Sequence, residues 1–323
     1  MIVSTEEPAG AGPVDDRSVR TAWGRFPENP EIGALSYVSS EHRVAAAALV
    51  RQGHTFSLGI PIFDPRGDPL SADRPPAMHV RYRDWSHYTA GRCHPLPGGV
   101  ASVDDGFFIS CHGTTHVDAL GHIIVDGTMW DGHDARSASA GLDWASIAPL
   151  AEHGIFGRAV LADIARFRGE EALGRHHQVT LEELTATLEC QSVQVAEGDV
   201  VLVRTGSIPR FYKDGPGQFF RDYSEPGLSD ETELIDWFSD KRISGLGSDT
   251  LSNELPKSPM TGAEYPLHHH LLRNLGVIFH EALSLDNLAA SCAKDHVYEG
   301  LYIAAPLKML GASASPVNPL FVK

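Results

Sequence analysis

The chain has 323 residues, 42% of them hydrophobic and 21% charged, enough apolar material for a sizeable core in one large domain or two intimately packed ones. Its 26 Lys and Arg against 42 Asp and Glu give a formal net charge of -16, which repels phosphate backbones and anionic bilayers and removes nucleic acid and membrane as expected partners. The four cysteines, Cys93, Cys111, Cys190 and Cys292, include no CxxC pair, which argues against a structural zinc knuckle and fits a reducing, cytoplasmic setting rather than a disulfide scaffold.

Residues 1–30, rich in Pro, Gly and acidic side chains without periodicity, read as an N-terminal arm whose apolar anchors are Trp23 and Phe26. The arm has no basic segment leading into an apolar one, and no stretch of the chain approaches the roughly 18 apolar residues of a spanning helix, so a soluble protein is expected. Residues 31–323 form the domain proper. Ser40 followed by EHRVAAAALVRQ and closed by Gly53 predicts a helix, and TFSLGIPI, with Phe56, Leu58 and Ile60 alternating, predicts a strand. From Asp64 to Gly99 prolines and glycines interrupt every period around Trp85 and Tyr88, and a loop that long usually builds a site.

Farther along, FGRAVLAD (156–163) and DVVLVRTG (199–206) are β-branched apolar runs that predict buried strands. Between them Thr180 and Glu183 form a capping box ahead of Leu184 and Leu188. Ser229 is placed to cap a helix through Leu234, Ile235, Trp237 and Phe238, and ISGLGSD, GVIF (276–279) and LYIAAPL (301–307) predict further short strands. The alternation indicates a mixed α/β or α+β fold class. No fixed-period repeat, GxGxxG or P-loop lysine motif is present, so solenoids, propellers and a nucleotide cradle are not expected.

The chemistry is concentrated in CHGTTHVDALGH, where His112, His116, Asp118 and His122 fall within residues 112–122. Three imidazoles and a carboxylate are competent ligands for Zn or Mn. A regular helix would bring His112 and His116 together but turn Asp118 about 200° away. A strand would align all four, yet Gly113, Thr114 and Thr115 favour a turn leading into a short helix around Ala119. Single histidines are ordinarily satisfied core or turn residues; the grouping is what points to a metal.

A second group, YPLHHHLLRNLGVIFHE, offers His268, His269, His270, His280 and Glu281. The triplet is internal and is not a tag. A helix beginning near Pro266 would aim His268, or its neighbour His269, at the site, and GVIF would deliver Glu281 at a strand end. Thr114 and Thr115 can donate hydroxyl hydrogen bonds to a ligand or act as local caps. Cys111 could pair with a histidine as a nucleophile, although its place after FFIS favours burial. Asp249 and Arg204 end predicted strands in glycine-containing turns, where active-site residues often collect, but an ordinary surface pair explains them equally well, and neither is assigned a catalytic role.

These residues resemble the metal-dependent cyclase/kynurenine formamidase-like hydrolases, a family of formamidases, isatin hydrolase and some lactamases with the signature HxGTHxD followed by a further His. HGTTHVDALGHIIVDG is similar to the longer branch, whose motif is HGxTHxDALxH. WGRFPENPEIGAL, EGDVVLVRTG, GLGSDTLS, PLHHHLLRNLGVIFHEALSL and SPVNPLFV extend the likeness over nearly the whole chain. Ser36 stands where the family usually has Asn. The resemblance implies a single-domain swivelling β/β/α fold with the site near a subunit boundary of a homodimer or homotetramer. It implies that His112, His116 and Asp118 hold zinc or manganese, that His122 is the catalytic acid/base, and that His268 and Glu281 complete the site or a second metal.

The expected activity is hydrolysis of a carbon–nitrogen bond in a small amide, formamide or lactam, with the loop around Trp85 and Tyr88 selecting the substrate. Two alternatives keep the metal: cyclisation, dehydration or ester cleavage in a biosynthetic pathway, and a catalytically silent binding protein. An intact His122, whose unperturbed pKa lies near about 6.5, argues against silence.

Overall fold

The structure is a computed structural model that describes residues 20–69, 74–221 and 223–323. Most of the expected N-terminal arm therefore lies outside the described residues. No helix among those described is long and apolar enough to cross a membrane.

The strands are β1 (Thr55–Ser57), β2 (Met78–Arg83), β3 (Asp104–Phe108), β4 (His116–Asp118), β5 (Ile155–Asp163), β6 (Gln178–Val179) and β7 (Val200–Arg204). They continue as β8 (Gly227–Leu228), β9 (Gly245–Ser248), β10 (Ile278–Glu281), β11 (Glu299–Ala304), β12 (Ala314–Pro316) and β13 (Leu320–Val322). Nine of those described form one sheet in the order β1-β13-β11-β5-β7-β9-β10-β4-β12. Its centre, β5, β7, β9 and β10, is parallel. Strands VVLVR and IFGRAVLAD carry near-continuous apolar runs because a parallel sheet is covered on both faces. Leu161, Leu202, Leu246 and Phe279 pack there with helix side chains including Leu184, Phe238, Leu271 and Leu288, all buried.

The edge beyond β10 turns antiparallel, and this places the site. In β4, His116 lies opposite Glu281 of β10, and Asp118 lies opposite Ala314 of β12. Residues at i and i+2 share a face of a strand, and directly opposed residues share a face of a sheet. His116, Asp118 and Glu281 are therefore aimed at one side by ladder register.

Several expectations are corrected. The first helix spans Ser40–Ala47 and is capped by Ser39, whose hydroxyl accepts from the His42 backbone while the His42 ring returns the bond. It stops short of Gly53 because the Gln52 and Gly53 amides donate to the Lys323 carbonyl, turning the chain toward β1. Strand β1 extends to Ser57; the Leu58 amide still donates to the Pro319 carbonyl, and beyond it the amides leave the ladder, Gly59 donating to the Asn318 side chain and Ile60 to the Thr115 hydroxyl. The segment 64–99 is not all loop. It contains β2, paired with β3, and a short helix Trp85–Thr89 capped by Asp84. Ser229 caps nothing; its amide donates to Val179, and the helix starts later, at Thr232. The expected short helix around Ala119 is instead strand β4 followed by a single 3-10 turn, Leu120–His122.

The histidine triplet opens a π-helix, His268–Asn274. Such wide turns gather at functional sites. The described end of the N-terminal segment packs on it: Ala22 donates to the Asn274 carbonyl, and the Trp23 ring donates to the Arg273 carbonyl and lies 4.6 Å from its guanidinium carbon. Phe26 is buried between Tyr37 and Trp130.

Strand β8 passes so close to Glu254 that a Cβ on Gly227 would overlap the Glu254 backbone. Gly227→Ala is expected to cost about 1–3 kcal/mol by overpacking, read as a lowered unfolding midpoint in urea. A midpoint equal to that of the wild-type chain would count against this packing.

Candidate metal centre

Five side chains from three segments converge. His112 Nδ1 lies 2.9 Å from Asp118 Oδ1. His116 Nε2 lies 3.4 Å from Asp118 Oδ1 and 3.2 Å from Glu281 Oε2. His268 Nε2 lies 3.6 Å from Asp118 Oδ2 and 3.4 Å from Glu281 Oε1. Two overlapping ligand groups share Asp118: one with His116 and Glu281, the other with His112 and His122.

Each imidazole is held from behind. His112 Nε2 bonds the Ser313 hydroxyl at 3.0 Å, His116 Nδ1 donates to the Thr114 carbonyl at 2.7 Å, and His268 Nδ1 donates to Glu254 at 2.6 Å. With the proton on the outer nitrogen, the lone pair of the inner one points at the carboxylates. This is the outer support that metal-ligating histidines ordinarily have. Glu254 also accepts from the backbone amides of Leu267 and His268, which fixes the start of the π-helix, and Asn253 donates to Glu281 at 3.3 Å.

His116 Nε2 and both oxygens of Asp118 are buried without a hydrogen-bond partner. Buried polar atoms are ordinarily satisfied, and two buried carboxylates facing one another need a cation. The orphaned atoms and the His/Asp/Glu donor set together fit a divalent metal ion. Burial opposes charge on His116, but Asp118 and Glu281 outweigh it and raise the imidazole to about 10. His268 is raised by the same contest. Burial and Asp118 push Glu281 up, and the imidazoles of His116 and His268 overcome both. The centre thus attracts positive charge from every side.

His122 faces the same cavity, its ring 4.2 Å from that of His112 and 6.2 Å from that of His268. Burial pushes it down to about 3 against the pull of Asp118, so the ring is neutral at physiological pH rather than half-charged near its unperturbed value.

His269 and His270 do not join the cluster; their rings stack on each other at 4.5 Å. His280 points away to the Tyr302 hydroxyl at 3.0 Å, as alternation along β10 requires. Thr115 ties segments together, accepting from Ile60 and donating to the Ala282 carbonyl. Cys111 is half-buried with its thiol pushed up by burial, which disfavours a nucleophilic thiolate. Arg204 and Asp249 do not form a surface pair. Asp249 is buried and accepts from Thr205 and Gly206, whereas Arg204 engages Asp163 and Asp286.

A cavity of about 190 Å³ opens on the centre, lined by Arg74, Ile123, Tyr223, Leu251 and Tyr265 beside the cluster residues. Trp85 and Tyr88 do not line it. They pack on one another, and the Tyr88 hydroxyl bonds the Ser102 backbone. Sequence reasoning missed Glu254, Ser313, Arg74 and both cavity tyrosines, because each stands alone in its segment without ligand spacing around it.

The Cyclase family model matches residues 50–254. A solved structure described as a novel cyclase is 31% identical, with a TM-score of 0.86 over 94% of this chain and 100% of that chain. Isatin hydrolase A from Ralstonia solanacearum is similar in fold at 22% identity and a TM-score of 0.61, covering 84% of this chain and 92% of that one. A structure described as a predicted metal-dependent hydrolase from Bacillus stearothermophilus is similar in fold at 20% identity and a TM-score of 0.50, covering 84% and 98%. No curated protein matches significantly.

Beside the cavity, burial pushes Glu225 up to about 8, against hydrogen bonds donated by the Leu251 amide and the Tyr223 hydroxyl. The fold therefore favours the protonated acid, and this stability is complete below the ordinary value of 4.5 and lost as pH climbs through about 8. Urea stability of the wild-type chain is expected to fall across that window by up to about 1.4 kcal/mol per pH unit from this group, and Glu225→Gln to flatten the fall. Identical pH profiles for the two proteins would remove Glu225 from the account.

Proposed function

Because the chain belongs to the Cyclase family, we propose that it is a metal-dependent hydrolase that opens a carbon–nitrogen bond in a small amide, formamide or lactam. The observation that carries this reading is the set of buried, unsatisfied ligand atoms on His116 and Asp118, within ion-pair distance of His112, His268 and Glu281, which line a cavity. His112, His116, Asp118, His268 and Glu281 would hold the ion, with zinc and manganese both suited to that donor set. Bound there, a divalent cation supplies Lewis acidity, acidifying water and polarising a carbonyl.

His122 has a separate task. Its neutral ring stands on the cavity wall, where it can take the proton of the attacking water and return it to the leaving nitrogen. The depressed basicity suits the return of the proton more than its capture. The reading includes a homodimeric or homotetrameric assembly. Met78, Val80, Tyr82 and Phe107 on the β2–β3 ribbon are 46–61% exposed, and a two-stranded ribbon has little stability without a covering surface.

Elemental analysis and turnover separate the two roles. Asp118→Ala is expected to lose the metal, because it removes the carboxylate common to both ligand groups. His122→Ala is expected to keep it while turnover on a panel of small amides, formamides and lactams falls about 10²- to 10⁴-fold. Equal metal content in wild type and Asp118→Ala would refute the ligand assignment, and full turnover in His122→Ala would refute the proton-carrier role.

A further inference from the structure

The cavity is asymmetric in charge. The centre supplies His112, His122, His268 and Glu281, whereas Arg74 is the one arginine or lysine among the described residues that line it. Arg74 Nη1 donates to the His112 carbonyl at 2.8 Å, which docks the guanidinium beside a candidate ligand. Arg66, Arg136, Arg158 and Arg204 each hold an aspartate, but no carboxylate among the described residues lies within ion-pair distance of Arg74. One N–H is spent on the carbonyl, and the rest of a rigid, always-charged fork remains for a ligand. Tyr265, packed edge-on to His268 at 5.7 Å, adds a hydroxyl to the same lining, kept protonated by burial.

We propose that Arg74 is a specificity-determining residue that selects substrates carrying a carboxylate a few bonds from the scissile amide. The spacing follows from its anchor: the guanidinium is tied to the backbone of the residue whose ring faces Asp118, so the anionic group and the reacting carbonyl sit close together. The acidic exterior does not oppose this choice, since exposed charges are screened over about 8 Å at physiological ionic strength and the lining decides. The reaction named here rests on the hydrolase reading, but recognition by Arg74 does not.

Calorimetric titration of the metal-loaded protein with N-benzoylglycine and with its uncharged carboxamide tests the assignment. The wild-type protein is expected to bind the acid about ten-fold tighter than the carboxamide, in keeping with a charge-assisted bond, and Arg74→Met to bring the two within about two-fold while carboxamide affinity holds. If Arg74→Met does not fold, Arg74→Lys is read instead, with a smaller but still reduced preference expected from a point charge without the fork. No preference in the wild type, or a preference that survives in the Arg74 variant, overturns the proposal; survival that disappears on metal removal assigns the carboxylate to the ion. A protein that cleaves no amide yet shows the Arg74-dependent preference loses the reaction and keeps the recognition.

Discussion

Two carboxylates, Asp118 and Glu281, lie side by side in the interior of a chain that has every electrostatic reason to keep them apart. Burying like charges is tolerated only when something positive lies between or around them. Three imidazoles surround this pair, and the ladder register of β4 against β10 makes the encounter unavoidable. The rest of the architecture can be understood as what that constraint demands.

It demands orientation first. An imidazole offers a lone pair on one nitrogen only when its proton is held on the other. Ser313, the Thr114 carbonyl and Glu254 come from three different parts of the chain, and each secures one ring. Glu254 is in turn pinned by two amides at the start of the π-helix, so the placement of His268 rests on backbone geometry as well as on a side-chain contact. His122 lacks any such tether among the hydrogen bonds of the described residues, which supports the proton-carrier role proposed for it.

The sequence disclosed those features whose physics is local. Strands β5 and β7 were legible because burial on both faces writes a continuous apolar run, and the helix Leu181–Cys190 because Thr180 accepts from Glu183 in the next turn. The cluster at 112–122 was legible because residue types rare in combination stand close together. What stayed hidden depends on distant partners. Strand β2 looked like loop because its exposed faces carry no core pattern, and Ser229 looked like a cap because the bond from its amide to the Val179 carbonyl is invisible in sequence. Glu254 and Arg74 matter only through segments that the fold brings to them.

The contacts of Ala22 and Trp23 with Asn274 and Arg273 carry an implication for modularity. The span that the family model matches, residues 50–254, contains His112, His116 and Asp118, yet it ends before His268 and Glu281 and begins after the residues that brace the π-helix. A fragment trimmed to that span would carry the recognisable motif without the means to close around an ion. Closing a centre of this composition therefore needs both flanks of the matched span: the N-terminal residues that brace the π-helix, and the strand that carries Glu281.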